Sequence, residues 1–225
     1  MYANWQKYLS YLVCLRLEKR KSAYNPYLEV LLCKGDLMLN TRQATYSHHA
    51  AYVSFEKPLA HLFQQRKNFA PQTVLVAGLG LGSVPKMLYE KFSLQKSHFF
   101  CVEIDPEIIA LCKKYLPQNI QEKCSFWQGD MAQFVAENQR PQFDLIAFDI
   151  FEEDKIPDVF TETIFLTELF NLLNPRGVLI FSTLHYNDTV KKTSEKVLLA
   201  AKKLWQNELE LLTTSGNTIL IVTKN

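Results

Sequence analysis

Residues 74 to 83 read Val74-Leu75-Val76-Ala77-Gly78-Leu79-Gly80-Leu81-Gly82-Ser83, an apolar run that breaks into alternating glycines. Consecutive Val and Leu suit a strand buried on both faces, and the glycines let the backbone turn where a side chain would obstruct it. Val84 to Phe92 then carry a helical repeat, so the stretch predicts strand, tight turn and helix. A helix start presents free N–H groups, and a glycine turn beside it lets a ligand lie against the backbone. Alone, such a turn is a weak signal. A strand before it, a helix after it and an acid at the end of the next strand turn it toward a nucleoside site.

Downstream, the pattern alternates. Strands are expected at His98 to Ile104, Ser125 to Gln128, Phe143 to Phe148 and Gly177 to Thr183, with helices at Pro106 to Leu116, Met131 to Glu137, Thr161 to Leu173 and Thr189 to Trp205. Nearly all-apolar strands alternating with helices imply a parallel sheet covered on both faces. The chain then ends in Glu208 to Thr213 and Thr218 to Thr223 around Ser215-Gly216-Asn217. So short a connection makes that last pair antiparallel, a feature NAD-binding dehydrogenase folds generally lack. The expectation is an α/β, Rossmann-like fold with a seven-stranded, mostly parallel sheet and a C-terminal antiparallel hairpin.

Upstream, residues 1–47 read as a small β-rich segment and residues 48–225 as the nucleoside-binding domain. Tyr27 to Cys33 and Leu37 to Asn40 form a hairpin around Lys34-Gly35-Asp36, and Tyr52 to Gln65 a helix. The apolar run at 27–40 offers itself for pairing with a second subunit in a homodimer. The 225 residues are 48% hydrophobic, 21% charged and 12% aromatic, which excludes disorder and allows a full core. Net charge is only +2, with +4 gathered in residues 1–47 and −2 in the rest, so nucleic acid is not expected as a partner and the basic end reads as a solvated face. No window nears the roughly 20 apolar residues of a membrane span, and Met1 to Trp5 lacks a signal-peptide pattern, so a cytoplasmic protein is expected. Cys14, Cys33, Cys101, Cys112 and Cys124 lack metal-ligand spacing and are expected as reduced thiols; with His48 and His49 adjacent and isolated, no metal site is expected.

Three acids mark the strand ends. Glu103, closing the second strand of the alternating pattern, can accept hydrogen bonds from both hydroxyls of a ribose over the glycine turn. Asp105, two residues on and followed by Pro106, reads as a helix cap. In Gln128-Gly129-Asp130-Met131, Asp130 can take an adenine amino group, with Ile104 and Met131 sandwiching the ring, or can merely cap the next helix. Asp149 closes the fourth strand and points toward the reactive end of such a ligand. It opens an acidic stretch with Glu152, Glu153, Asp154 and Asp158, most of which reads as a solvated loop.

In this order the motifs resemble the class I AdoMet-dependent methyltransferase fold and, within it, the spermidine synthase (polyamine aminopropyltransferase) family. Asn171-Leu172-Leu173-Asn174-Pro175-Arg176-Gly177-Val178-Leu179 looks like the L-x-P-x-G-x-L turn of both groups. The resemblance implies that Gly78, Leu79, Gly80, Gly82, Glu103, Ile104, Asp130, Met131 and Asp149 bind S-adenosyl-L-methionine or its decarboxylated form, with Asp149 catalytic. Two departures accompany it. Aminopropyltransferases carry G-G-G-D-G with an acid that contacts the amine, and here that position is Leu81; the family's gatekeeping Tyr is matched by Phe55. The favoured expectation is therefore a methyltransferase acting on an unidentified acceptor, a small-molecule amine or other cation first among the candidates, with a carboxylate and a protein side chain also open. Aminopropyl transfer, an NAD-dependent dehydrogenase and a non-catalytic nucleoside-binding module are the alternatives.

Overall fold

The computed structural model describes residues 2–42, 44–48, 53–138, 142–152, 155–185, 188–214 and 216–225. A short helix α1 (Asn4–Leu9) leads into β1 (Leu15–Arg20), β2 (Leu28–Cys33), β3 (Asp36–Asn40) and β4 (Thr45–His48), an antiparallel sheet in that order. The expected hairpin is β2–β3, with Cys33 paired to Asp36 and both loop residues at positive φ, Lys34 at 52° and Gly35 at 80°. That backbone twist matches the twist of paired strands, which is why a glycine in the second loop position served as a signal. β2 and β3 lie inside this sheet, flanked by β1 and β4. The apolar run at 27–40 consequently has no free edge for a second subunit. Its buried side chains Leu28, Val30, Leu32, Leu37 and Leu39 instead meet Leu81, Ile108 and Leu111.

Helix α2 (Val53–Gln65) connects to the large sheet; the expected start at Tyr52 lies outside the described residues. The larger sheet comprises β5 (Thr73–Ala77), β6 (His98–Glu103), β7 (Cys124–Gln128), β8 (Phe143–Phe148), β9 (Leu173–Leu184), β10 (Leu209–Thr213) and β11 (Asn217–Thr223). Its order is β10-β11-β9-β8-β5-β6-β7. Seven strands stand as expected, and β11 slips antiparallel between β9 and β10. Helices α3 (Ser83–Glu90), α4 (Pro106–Tyr115), α5 (Gln118–Gln121), α6 (Met131–Glu137), α7 (Thr163–Asn171) and α8 (Asp188–Leu204) connect the strands. One apolar cluster built on Leu75, Phe148 and Phe181 and another on Val74, Val76 and Ile180 take alternate residues of the same strands, the signature of a sheet buried on both faces.

The helix expected from Thr161 divides into a 3₁₀ turn, Asp158–Thr161, and α7, because Glu162 is extended at φ −72° and ψ 137°. The cysteine expectation is corrected. Cys14 and Cys33 form a disulfide across 19 residues, with Cα atoms 4.4 Å apart, while Cys101, Cys112 and Cys124 are free. The bond pins the turn after α1 to the end of β2, where Ser10 O also accepts from Lys34 N at 2.7 Å. That proximity is a tertiary one and leaves no trace in sequence spacing. Closing a loop of this length contributes about 3 kcal/mol by restricting the unfolded chain. Reduction is therefore expected to lower the unfolding midpoint measurably in denaturant melts with and without dithiothreitol, and Cys14→Ser is expected to reproduce the reduced curve.

Candidate active site

The C-terminal ends of β5, β6 and β8 open into a cavity of about 700 Å³. Gly78 and Gly80 form its floor at φ 86° and 52°, a conformation side chains disfavour. Packing adds a second reason: a Cβ on Gly78 would lie 2.3 Å from Asp149 O, and one on Gly80 2.9 Å from the Cβ of Ser47. Thus the glycine turn is narrow because β8 crosses on one side and β4 closes the other. Gly82 is set apart from them. It is the left-handed N-cap of α3 and lies outside the cavity lining, where a Cβ would press on Leu116 and Cys112.

Glu103 closes β6 beside this floor. Oε2 accepts from Leu79 N at 3.1 Å and Oε1 from Asp105 N at 3.0 Å. Burial pushes its carboxyl up, against those backbone bonds, which hold it down. The Ile104 backbone also bonds this carboxylate, and since a carboxylate has about four acceptor positions, capacity is left for a ligand hydroxyl. Asp105 is the cap that its sequence context suggested, accepting from Glu107 N at 2.9 Å. It does more than that: its other oxygen takes Asn25 Nδ2 at 2.6 Å and the Ser22 hydroxyl. This fully buried acid therefore ties the segment before β2 to the start of α4, bringing Tyr24 and Asn25 into the cavity wall.

Ile104, Asp130 and Met131 all line the cavity. Asp130 caps α6 through Oδ1, bonded to Ala132 N at 2.6 Å and Gln133 N at 3.4 Å, and neither bond uses Oδ2. Cap and ligand contact are thus compatible in one side chain. Leu79 lies on the lining as well, although its side chain is 3% exposed and packs into the core.

Asp149 follows β8 into the same wall, its N–H bonded to Ala77 O at 2.8 Å. Burial pushes its carboxyl up to about 7, opposed by a hydrogen bond from the Ser182 hydroxyl. Asn217 Nδ2 in turn donates to Ser182 Oγ at 3.0 Å, so β9 and β11 steady the acid from behind. Sequence reasoning missed Ser182 and Asn217. The available signal was a polar residue closing the run Val178-Leu179-Ile180-Phe181. Of the acidic stretch, Glu152 lines the cavity and its backbone pairs with Lys155 at 2.9 and 3.0 Å, Asp158 meets Lys196 at 3.3 Å, and Glu153 and Asp154 lie outside the described residues.

The two departures also have places. Leu81 is fully buried between the small sheet and α4, and Phe55 is fully buried under the large sheet; neither lines the cavity. Ser47, Ser54 and Tyr46 reach the cavity from β4 and α2, and Ser47 Oγ hydrogen-bonds Ser83 Oγ behind the glycine turn. Among the described residues, no group of three or more His, Cys, Asp or Glu side chains is placed to hold a metal.

Sheet order, glycine turn and strand-end acids define a Rossmann-like domain of the class I methyltransferase type. A model of the spermine/spermidine synthase domain matches residues 52–214, and the chain belongs to that family. The eEF1A lysine and N-terminal methyltransferase of Bos taurus is 30% identical over 122 residues, which are 50% of this chain and 17% of that protein. Polyamine aminopropyltransferase of Vibrio vulnificus is 32% identical over 118 residues, 52% of this chain and 39% of that protein. The chain therefore spans less than half the length of either relative. Human methyltransferase-like protein 13 in complex with SAH superimposes with a TM-score of 0.62 at 25% identity, covering 79% of this chain and 82% of that one.

Proposed function

We propose that this chain is an AdoMet-dependent methyltransferase on a spermidine synthase scaffold, acting on an amine or another cationic acceptor. The observation that carries this reading is the split in the site. The nucleoside side keeps Gly78, Gly80, Glu103, Ile104, Asp130 and Met131 around one cavity, whereas the position of the aminopropyltransferase acid is Leu81, in the core. The cavity suits the group in size, and its polar atoms suit it in kind: remaining acceptor capacity on Glu103, the unused Oδ2 of Asp130, and backbone N–H groups near the α3 start. When bound, AdoMet supplies a methyl already activated on a sulfonium. The protein has only to hold the acceptor in line, exclude water and take a proton from the acceptor nitrogen. Asp149, poised near neutrality, is placed to accept that proton or to orient the cation.

Calorimetric titration with AdoMet and with decarboxylated AdoMet tests this. AdoMet is expected to bind more tightly by about tenfold, a difference of about 1.4 kcal/mol, because decarboxylation removes an anion that N–H groups near the α3 start would attract. Preference for the decarboxylated form would overturn methyl transfer, and binding of neither would return Glu103 and Asp130 to structural roles.

Aminopropyl transfer is the second reading, favoured by Asp149 and Glu152 on the cavity wall, where a polyamine's charge would be drawn. Release of methylthioadenosine in the presence of putrescine would establish it. Among the described residues no helix is long and apolar enough to cross a membrane. A cytoplasmic setting belongs to the proposal, and the Cys14–Cys33 bond counts against it, since disulfides are rare there.

A further inference from the structure

At the opposite end of the large sheet lies a second hollow of about 760 Å³, where the chain leaving α2 meets the start of β9 and the end of β11. Four cationic residues line it, Arg66, Lys67, Arg176 and Lys224, with no Asp or Glu among the lining residues, although Asn225, which carries the α-carboxylate of this chain, is one of them. Glu208 reaches its rim through Asn225 Nδ2 at 3.2 Å. Among the described residues none of the four cations forms a salt bridge. Arg66, Lys67 and Arg176 are like charges gathered in one concavity, and such a grouping concentrates anions there.

Arg66 is held in place. Arg66 Nη1 donates to Arg176 O at 3.2 Å and Nη2 to Thr223 Oγ1 at 2.8 Å, while the guanidinium lies over the Phe69 ring at 5.9 Å. An arginine has five N–H donors in one plane, so donors remain free on a group whose orientation is already set. Lys224 Nζ is bonded to Leu173 O at 2.7 Å and Asn171 O at 3.1 Å and lies over the Phe170 ring at 5.7 Å, partners outside the hollow's lining, so its charge is directed elsewhere. Arg176 stands at φ 64°, in a left-handed turn that glycine adopts freely and a side chain resists. The register between β8 and β9 shifts here, Phe143 facing Leu173 and Leu145 facing Val178, and of the intervening residues Arg176 lines the hollow. An arginine where glycine would be easier is a strained position, and here it stands in the lining beside Arg66 and Lys67.

We propose that this hollow binds a small ligand through a phosphate or diphosphate group, at a site separate from the transfer cavity. A fixed guanidinium fork matches two oxygens of a tetrahedral oxyanion, and Lys67 and Arg176 in the same lining supply charge for the others. This inference does not depend on the chemistry proposed for the first site.

The test is titration of the full chain with inorganic pyrophosphate, read by calorimetry and by the thermal midpoint, against sodium chloride of equal ionic strength. Saturable binding is expected in the unsubstituted chain, with at least a tenfold loss in Arg66→Gln. Arg176→Gly is the decisive variant: its affinity is expected to fall while its midpoint without ligand stays level or rises, because the left-handed strain is relieved. Lys67→Ala, at an exposed position, is expected to weaken binding without moving the midpoint. A pyrophosphate response no larger than the chloride control would overturn the proposal, as would equal binding by Arg176→Gly. Binding of a single-stranded oligonucleotide with no response to pyrophosphate would also overturn it, since the hollow would then be a polyanion surface.

Discussion

Asp149→Asn is expected to lower turnover by about 10²–10⁴-fold, the range for loss of a positioned proton acceptor, while leaving affinity for SAH in place. The expectation rests on how the carboxylate is held. Its backbone is fixed to β5 through Ala77 O and against Gly78, and its side chain is steadied by Ser182, itself bonded by Asn217. Asparagine keeps that shape but gives up the charge. Burial pushes the acid up to about 7, above the roughly 4 of an unfolded chain, so the native state holds a proton that the unfolded chain releases between those values. The sign follows: the contribution to stability is full below about pH 4 and is lost as pH rises through about 7, by at most about 4 kcal/mol. In Asp149→Asn that part of the slope is expected to vanish from denaturant melts across the window.

The same carboxylate separates the two ligands. A sulfonium beside it favours the ionised acid, whereas the neutral thioether of SAH does not. AdoMet affinity is expected to rise relative to SAH between about pH 6 and 8, and to stay level in Asp149→Asn. Undiminished turnover in the variant, or a pH dependence identical for both ligands, would remove Asp149 from the chemistry.

Much of this arrangement was legible in the chain itself, for a physical reason. Strands buried on both faces need long apolar runs, and Val74 to Ala77 and Leu145 to Phe148 supply them; the glycine turn between β5 and α3 then marks the ligand edge. What stayed hidden depends on neighbours. β1 carries Arg16, Glu18, Lys19 and Arg20 on a half-covered surface, and β4 is the polar run Thr45 to His48, so neither has a strand signature without the partners that complete the sheet. The final hairpin could be read from its turn, but the insertion of β11 between β9 and β10 could not, because sequence does not name the edge a hairpin seeks. The Cys14–Cys33 bond and the Asn217–Ser182–Asp149 chain are long-range meetings of the same kind. At Asp130 the cap is seen on Oδ1 alone, so it leaves the other oxygen for the ligand contact read from the sequence rather than excluding it.

Leu81→Asp, which writes back the acid that the aminopropyltransferases carry, is expected to unfold the protein rather than convert it. Leu81 sits at 0% exposure among Leu28, Val30, Leu32, Leu37 and Leu39 of the small sheet and Ile108 and Leu111 of α4. Removing a buried leucine side chain costs about 2–5 kcal/mol through lost transfer energy and the cavity left behind. Aspartate adds the cost of a carboxyl amid aliphatic side chains, about 1.4 kcal/mol for each pH unit by which its ionisation is suppressed. The total is comparable with the roughly 5–15 kcal/mol that holds a domain together. Leu81→Ala is expected to fall in the first range and Leu81→Met below about 1.5 kcal/mol, both read from urea melts. This ordering follows only if the position serves the junction between the two sheets. A folded Leu81→Asp protein that releases methylthioadenosine with putrescine would show that position 81 can face the acceptor and that a single substitution separates the two activities. An unfolded one would mean that the apolar junction and an amine-binding acid compete for the same position, so that this chain could not regain the acid without rebuilding the small sheet around it.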